Sequence, residues 1–211
     1  MVADRLRGAR AALDVQAGGG ELLSRIDQWP PRLVAAEGWL PNVAVAGRNL
    51  HGRGGHVVAA NDDRPALPFR GGAFDLVVSR HPVTAWWEEI ARVVAPGGSY
   101  LSQQVGPRSM FEVAEWFLGP QPTTSHRSPA LAVAGAEAAG LDVVDLRDAR
   151  LRAEFHDIGA VIYFLRLVIW IVPGFDVTEH RGRLRVLHEE IEARGPFVAH
   201  ATRFLIEARK P

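Results

Sequence analysis

The stretch AALDVQAGGGE, residues 11–21, decides how this chain is read. Its opening AALDV is a short apolar run of the kind that suits a buried parallel strand, and the glycines after it permit positive φ and close approach of the backbone. From about Glu21 the sequence turns helical, which aims the free amides of a helix start into the turn. A strand, a glycine turn and a helix in that order open a crevice at the carboxyl end of the strand, where open α/β sheets take nucleotide-type ligands. Glycines also serve tight turns for steric reasons alone, so the rest of the chain must carry part of the argument.

Strand-like and helix-like patches alternate through the first half, the pattern of βαβ units and a mostly parallel sheet. Strands are expected over residues 11–15, 32–37, 56–61, 74–79 and 99–105, with helices over 21–28, 42–50 and 85–94; Gly97-Gly98 after Pro96 should end the last of these helices. Further on, residues 128–139 read as a helix and 141–155 as a long alternating strand with an outward polar face. A helix over 178–194 and a closing strand over 197–208 follow, joined by the short turn Arg194-Gly195-Pro196. Two late strands separated by helical material suggest an addition to the sheet with an antiparallel member.

With 211 residues and 47% hydrophobic composition, the chain is expected to form one domain over 1–211, with a cofactor-binding half at 1–106 and a substrate-side half at 107–211. Formal net charge is zero, so no global field draws nucleic acid or an anionic membrane. Lys210 is the only lysine among 24 basic residues, a bias without functional content. The absence of cysteine removes disulfides, thiolate metal sites and cysteine nucleophiles together. Residues 158–172, IGAVIYFLRLVIWIV, are strongly apolar, but fifteen residues with Arg166 inside fall short of the ~20 a membrane span needs. This segment reads as a core or lid helix ended by Pro173-Gly174. The N-terminus shows no apolar leader, and cytoplasmic location is the expectation.

A second acid, Glu37, falls 23 residues after Asp14 at the end of the second expected strand. A carboxylate there can accept hydrogen bonds from both hydroxyls of a ribose, while a solvated acid opening a loop is the plainer alternative.

Five ordered blocks now carry a resemblance: LDVQAGGGE (13–21), VAAEGW (34–39), NDDRPALPF (61–69), FDLVVSRH (74–81) and EEIARVVAPGGSYL (88–101). Together they resemble the class I S-adenosylmethionine-dependent methyltransferases of the small-molecule type. The resemblance implies a Rossmann-like three-layer α/β sandwich with a mostly parallel seven-stranded sheet and an antiparallel last strand. It also implies S-adenosylmethionine as cofactor. Asp14, Gly18 and Gly20, in one loop with Gln16 and Ala17, would then line the amino-acid part and ribose. Glu37 would hold the ribose hydroxyls, with Gly38 and Trp39 at the adenine. Asp63, or its neighbour Asp62, falls where the family binds the adenine amino group, and Ser79 with Arg80 lies near the methionine portion.

Two features depart from the family. Gln16 stands where its motif begins with glycine, and a side chain there would crowd the tight turn or fold over the cofactor. Only about ten residues precede the first strand, where many relatives carry covering helices, leaving the pocket open or closed by a partner subunit in a homodimer. A dinucleotide oxidoreductase is the nearest rival, but its G-x-G-x-x-G spacing is absent, since Leu23 stands at the third position.

Methyl transfer from a sulfonium asks mainly for in-line positioning and exclusion of water. Where the acceptor is a hydroxyl or an amine, a base near neutral pKa helps, and His81 after the fourth strand is the first candidate, against a plain loop role before Pro82. His156, next to Asp157, is the second, with a surface turn as the equal alternative. Tyr163, Phe164, Trp170 and Phe175 could wall an apolar acceptor pocket or simply pack a core. Ser79-Arg80-His81-Pro82 lacks the Asn or Asp followed by two prolines of DNA amino-methyltransferases, so nucleic acid is not the expected partner. Dispersed histidines give no metal-ligand spacing. The reading is methyl transfer to a small, partly apolar organic acceptor, with a non-catalytic cofactor-binding or interaction protein of the same fold as the alternative.

Overall fold

Unbroken burial along its central strands sorts the chain into layers. The computed structural model describes residues 1–60, 66–123 and 127–211. In chain order the elements are α1 (Val2–Gly8), β1 (Ala11–Val15), α2 (Glu21–Ser24), β2 (Arg32–Glu37), α3 (Leu40–Leu50), β3 (His56–Ala59), β4 (Phe74–Arg80), α4 (Trp87–Val93), β5 (Val94–Val105), α5 (Phe111–Leu118), α6 (Pro129–Ala138), β6 (Asp142–Phe155), α7 (Ile158–Leu167), α8 (Arg181–Arg194) and β7 (Phe197–Arg209). Every residue of β1 is buried, as expected for a strand flanked by helices on both faces.

The seven strands form one sheet in the order β3-β2-β1-β4-β5-β7-β6. Strands β3, β2, β1, β4 and β5 pair in parallel, whereas β5-β7-β6 are antiparallel. The Rossmann-like expectation, the seven strands and the antiparallel last strand therefore hold. Chain order reverses between β1 and β4, so the crevice of this sheet opens at their carboxyl ends.

Two compact units divide the chain: Met1–Gln104 with Pro129–Arg147 and Phe204–Pro211, and Val105–Ser128 with Asp148–Arg203. In the first unit the strands alternate their burial. Leu13, Val34, Val77 and Tyr100 pack with Ile90, Val93 and Ala136 of α4 and α6, while Ala12, Leu33, Leu76 and Leu101 pack with Leu6, Leu23, Ala46 and Leu50 of α1, α2 and α3. Each buried Val, Leu or Ile among them contributes about 2 kcal/mol. The second unit gathers Val113 and Phe117 of α5, Val161 and Leu165 of α7, and Leu184, Leu187 and Ile191 of α8 into its own core.

Several elements differ from the sequence reading. Helix α2 stops at Ser24 instead of running to residue 28, because Arg53 supplies donors to the carbonyls of Ser24, Ile26 and Asp27 at 3.1, 2.7 and 2.8 Å. These carbonyls need no further helical turn. The sequence pattern does not predict helices α1 and α5. α7 ends at Leu167, short of Pro173, and leaves Ile169 and Trp170 65% and 63% exposed. Pro96-Gly97-Gly98 lies inside β5, not ahead of it; the register against β4 jumps from Phe74↔Val94 to Leu76↔Ser99, which absorbs the extra residues as a bulge.

Candidate functional site at the carboxyl ends of β1, β2 and β4

The glycine loop after β1 is built as the sequence suggested. Gly18 and Gly20 have φ of +60° and +75°, conformations glycine enters without a steric cost, and Gly20 is the N-cap of α2. Gly20 N–H donates to Ala17 O at 3.1 Å, and Ala17 N–H to Ala36 O at 3.2 Å, so the loop is stitched to β2. Asn49 of α3 donates its Nδ2 to Gly19 O at 2.8 Å.

Glu37 sits at the end of β2, 6% exposed. Its Oε2 accepts from Gly18 N–H at 2.7 Å and its Oε1 from Trp39 N–H at 2.9 Å. One carboxylate thus fixes the glycine loop and the start of α3 together, and each oxygen keeps a second lone pair for a further donor. Trp39 is the N-cap residue of α3 with its ring 62% exposed. Gly38 links the two.

Asp14 lies in register with Ala35 of β2 and Val78 of β4, 2% exposed. Its Oδ1 has no hydrogen-bond partner among the described residues. Burial, and then the negative charge of Glu37, push its pKa up to about 8. A buried carboxyl with an unpaired oxygen is what a cationic ligand group would satisfy.

On the β4 side, Ser79 is taken up in a buried trio of hydroxyls, 2.7 Å from Tyr100 Oη and 2.9 Å from Ser102 Oγ. Burial pushes the Tyr100 phenol above its ordinary range. Arg80 is exposed and its Nε lies 3.4 Å from Gln103 Oε1. His81 has a left-handed φ of +54°, and its N–H donates to Gln103 O at 2.7 Å. Gln16 also takes a left-handed φ, +57°, and its side chain reaches the segment after β4: Nε2 donates to Thr84 O at 2.9 Å and Oε1 accepts from Val83 N–H at 2.6 Å.

Asp14, Gln16, Ala17, Gly18, Gly20, Glu37, Gly38, Trp39, Ser79, Arg80 and His81 all belong to the first unit. Asp62 and Asp63 lie outside the described residues. His156 belongs to the second unit, 71% exposed and 3.1 Å from Glu154, while its neighbour Asp157 caps α7 by accepting from Ala160 N–H at 2.8 Å. The four aromatic candidates split. Phe164 packs on Phe155 and Phe175 on Phe117, whereas Tyr163 and Trp170 face outward, 67% and 63% exposed.

Sequence reasoning missed Asn49, Tyr100 and Ser102, which hold the loop and the serine from distant positions. It also missed a pair in the second unit, where His200 Nδ1 lies 2.8 Å from Glu112 Oε1 and His200 N–H donates to Glu112 Oε2 at 3.1 Å. The partners are 88 residues apart, so no local signal announces them. Clefts of about 380 and 390 Å³ lie away from the crevice, the first at the amino ends of the strands between Arg10, Arg32 and Asp75. Neither is lined by the loop residues above. Among the described residues no group of three or more His, Asp or Glu side chains is placed to hold a metal, and no helix is long and apolar enough to cross a membrane.

Comparison with known proteins bears on the fold. Residues 13–102 match the profile of the methyltransferase domain family. A candidate methyltransferase of Bacillus halodurans is similar in fold, with a TM-score of 0.69 and 17% identity over 98% of this chain and 94% of that one. YcgJ of Bacillus subtilis gives 0.67 and 16% over 99% and 96%. The [4+2]-cyclase SpnF gives 0.59 and 17% over 100% and 80%, so the fold is shared by a protein named for another activity. No curated protein matches the chain in sequence.

Proposed function

We infer that this chain, whose residues 13–102 match the methyltransferase domain family, is a class I S-adenosylmethionine-dependent methyltransferase that transfers the methyl group to a small, partly apolar organic acceptor. The observation that carries the cofactor reading is the Glu37 carboxylate, buried and holding Gly18 and Trp39 by their amides, beside an Asp14 whose Oδ1 is unpaired. The residues fit the group. Glu37 would accept from the ribose hydroxyls through its remaining lone pairs. Asp14 would meet positive charge, Gly18 and Gly20 leave room for close approach, and the exposed Trp39 ring offers an apolar face to the adenine. Asp62, Asp63, Ser79 and Arg80 complete the proposed cofactor contacts, with Ser79 acting through its backbone because its hydroxyl is engaged by Tyr100 and Ser102.

When bound, the cofactor supplies an electrophilic methyl group on a sulfonium. The chain's own tasks are to orient and to shield, with proton removal added where the acceptor is a hydroxyl or an amine. His81, held by its backbone at the end of β4, is the proposed base in the first unit. His156 is proposed only as a secondary candidate. The partly apolar acceptor rests on the apolar side chains the second unit leaves exposed, Tyr163, Leu167, Ile169 and Trp170.

Isothermal titration with S-adenosylmethionine and S-adenosylhomocysteine tests the reading. Binding of either at micromolar concentration is expected, and no heat from both sinks it.

A further inference from the structure

We propose that Gln16 is a positioning residue that straps the segment after β4 to the glycine loop across the mouth of the cofactor crevice. The inference rests on the methyltransferase reading above and assigns a part to the loop residue that departs from the family's glycine.

The backbone at this position makes a glutamine costly. At φ +57° a side chain is disfavoured relative to glycine, so the residue persists only where contacts hold it. Those contacts are two hydrogen bonds from the two ends of one planar carboxamide. Val83 N–H gives to Oε1 at 2.6 Å and Thr84 O receives from Nε2 at 2.9 Å. The side chain neither crowds the turn nor folds back on the loop; it reaches 67 and 68 residues along the chain.

Val83 is 92% exposed and Thr84 is exposed, so apolar burial does not fix these two residues. Apolar packing resumes only at Ala85 and Trp86, which rest against the core. The segment also leaves β4 through His81, a second non-glycine residue in the left-handed region. Gln16 and His81 therefore stand just past β1 and β4, the two strands flanking the point where chain order reverses, and the carboxamide ties the two exits together. A glycine at position 16 would relax the turn and release residues 83–84. The strap favours ligand binding over backbone comfort.

Three variants separate these effects. Gln16→Gly removes strain and strap together. Gln16→Asn tolerates the left-handed region but is one methylene too short to span. Gln16→Glu keeps the acceptor for Val83 N–H and places an acceptor against Thr84 O. Amide hydrogen exchange at Val83, thermal unfolding, and calorimetric titration with S-adenosylhomocysteine are the readouts. The Gly and Asn variants should unfold no earlier than the wild type, yet exchange Val83 about tenfold faster and bind about tenfold more weakly, the size of one to two net hydrogen bonds. The Glu variant should fall between them and the wild type. Unchanged Val83 protection, or lost protection with unchanged affinity, overturns the inference alone. A wild type that takes no S-adenosylhomocysteine or S-adenosylmethionine overturns the cofactor reading and the strap with it.

Discussion

Asp14 and Asp75 stand at opposite ends of neighbouring strands and are treated in opposite ways. At the amino end, Asp75 accepts from Ala11 N–H at 2.8 Å and from Arg10 N–H at 3.0 and 3.2 Å, with Arg10 Nε at 3.3 Å. Burial works against its charge, but those donors hold its carboxyl below the ordinary range. At the carboxyl end, Asp14 is more deeply buried, has an oxygen without a partner among the described residues, and is pushed up to about 8. A satisfied acid locks the start of β1 to β4, and the acid at the other end is the one that the proposed cofactor would meet.

The comparison breaks most readily on pH. Folded Asp14 keeps its proton to about pH 8, whereas unfolded it releases it near the reference value of 3.8. Between those limits the native state binds the extra proton, so stability from this group falls by about 1.4 kcal/mol per pH unit upward, or about 3 kcal/mol from pH 5 to 7. Urea unfolding of wild type and Asp14→Asn at pH 5, 6 and 7 should diverge by that slope, other groups cancelling in the difference; parallel profiles would remove the contrast. Asp75→Asn should lower stability by about 2 kcal/mol at pH 7 and leave cofactor affinity within about twofold, read by urea unfolding and titration calorimetry. The sign is reversed here, since a depressed carboxyl stabilises above its unfolded pKa and loses that contribution as pH falls through its folded one.

Smaller effects sharpen the same distinction at the ligand end. Glu37→Gln exchanges an acceptor for a donor facing a backbone amide, and should weaken S-adenosylhomocysteine about tenfold in calorimetric titration. Trp39→Ala should cost about 1 kcal/mol of binding and nothing measurable in unfolding by urea, because its ring is mostly exposed.

The sequence made β1, β2 and β4 legible because burial on both faces writes itself as continuous apolar runs, and it made the glycine loop legible because positive φ selects glycine locally. Glu37 was found from its place at a strand end. The features that stayed hidden depend on distant partners. Helix α5 starts at Met110, a left-handed N-cap that no capping residue announces, although the spacing of Val113 and Phe117 was a usable sign. Helix α1 buries only Leu6 and so shows little pattern. The end of α2 is set by Arg53, and the Gln16 strap by Val83 and Thr84, contacts that close only when the sheet is assembled. The place of β7 between β5 and β6 is likewise a matter of long-range pairing.

Strand β6 lies at the rim of the sheet and runs for 14 residues, long enough to zip onto another copy of itself. It carries Asp142, Asp145, Arg147, Asp148, Arg150, Arg152 and Glu154, with Asp145 and Arg147 paired at 2.9 Å, around the exposed Val144, Leu146 and Leu151. Any strand approaching that rim must strip water from charges of both signs, a toll that guards a naked ladder against fibre growth.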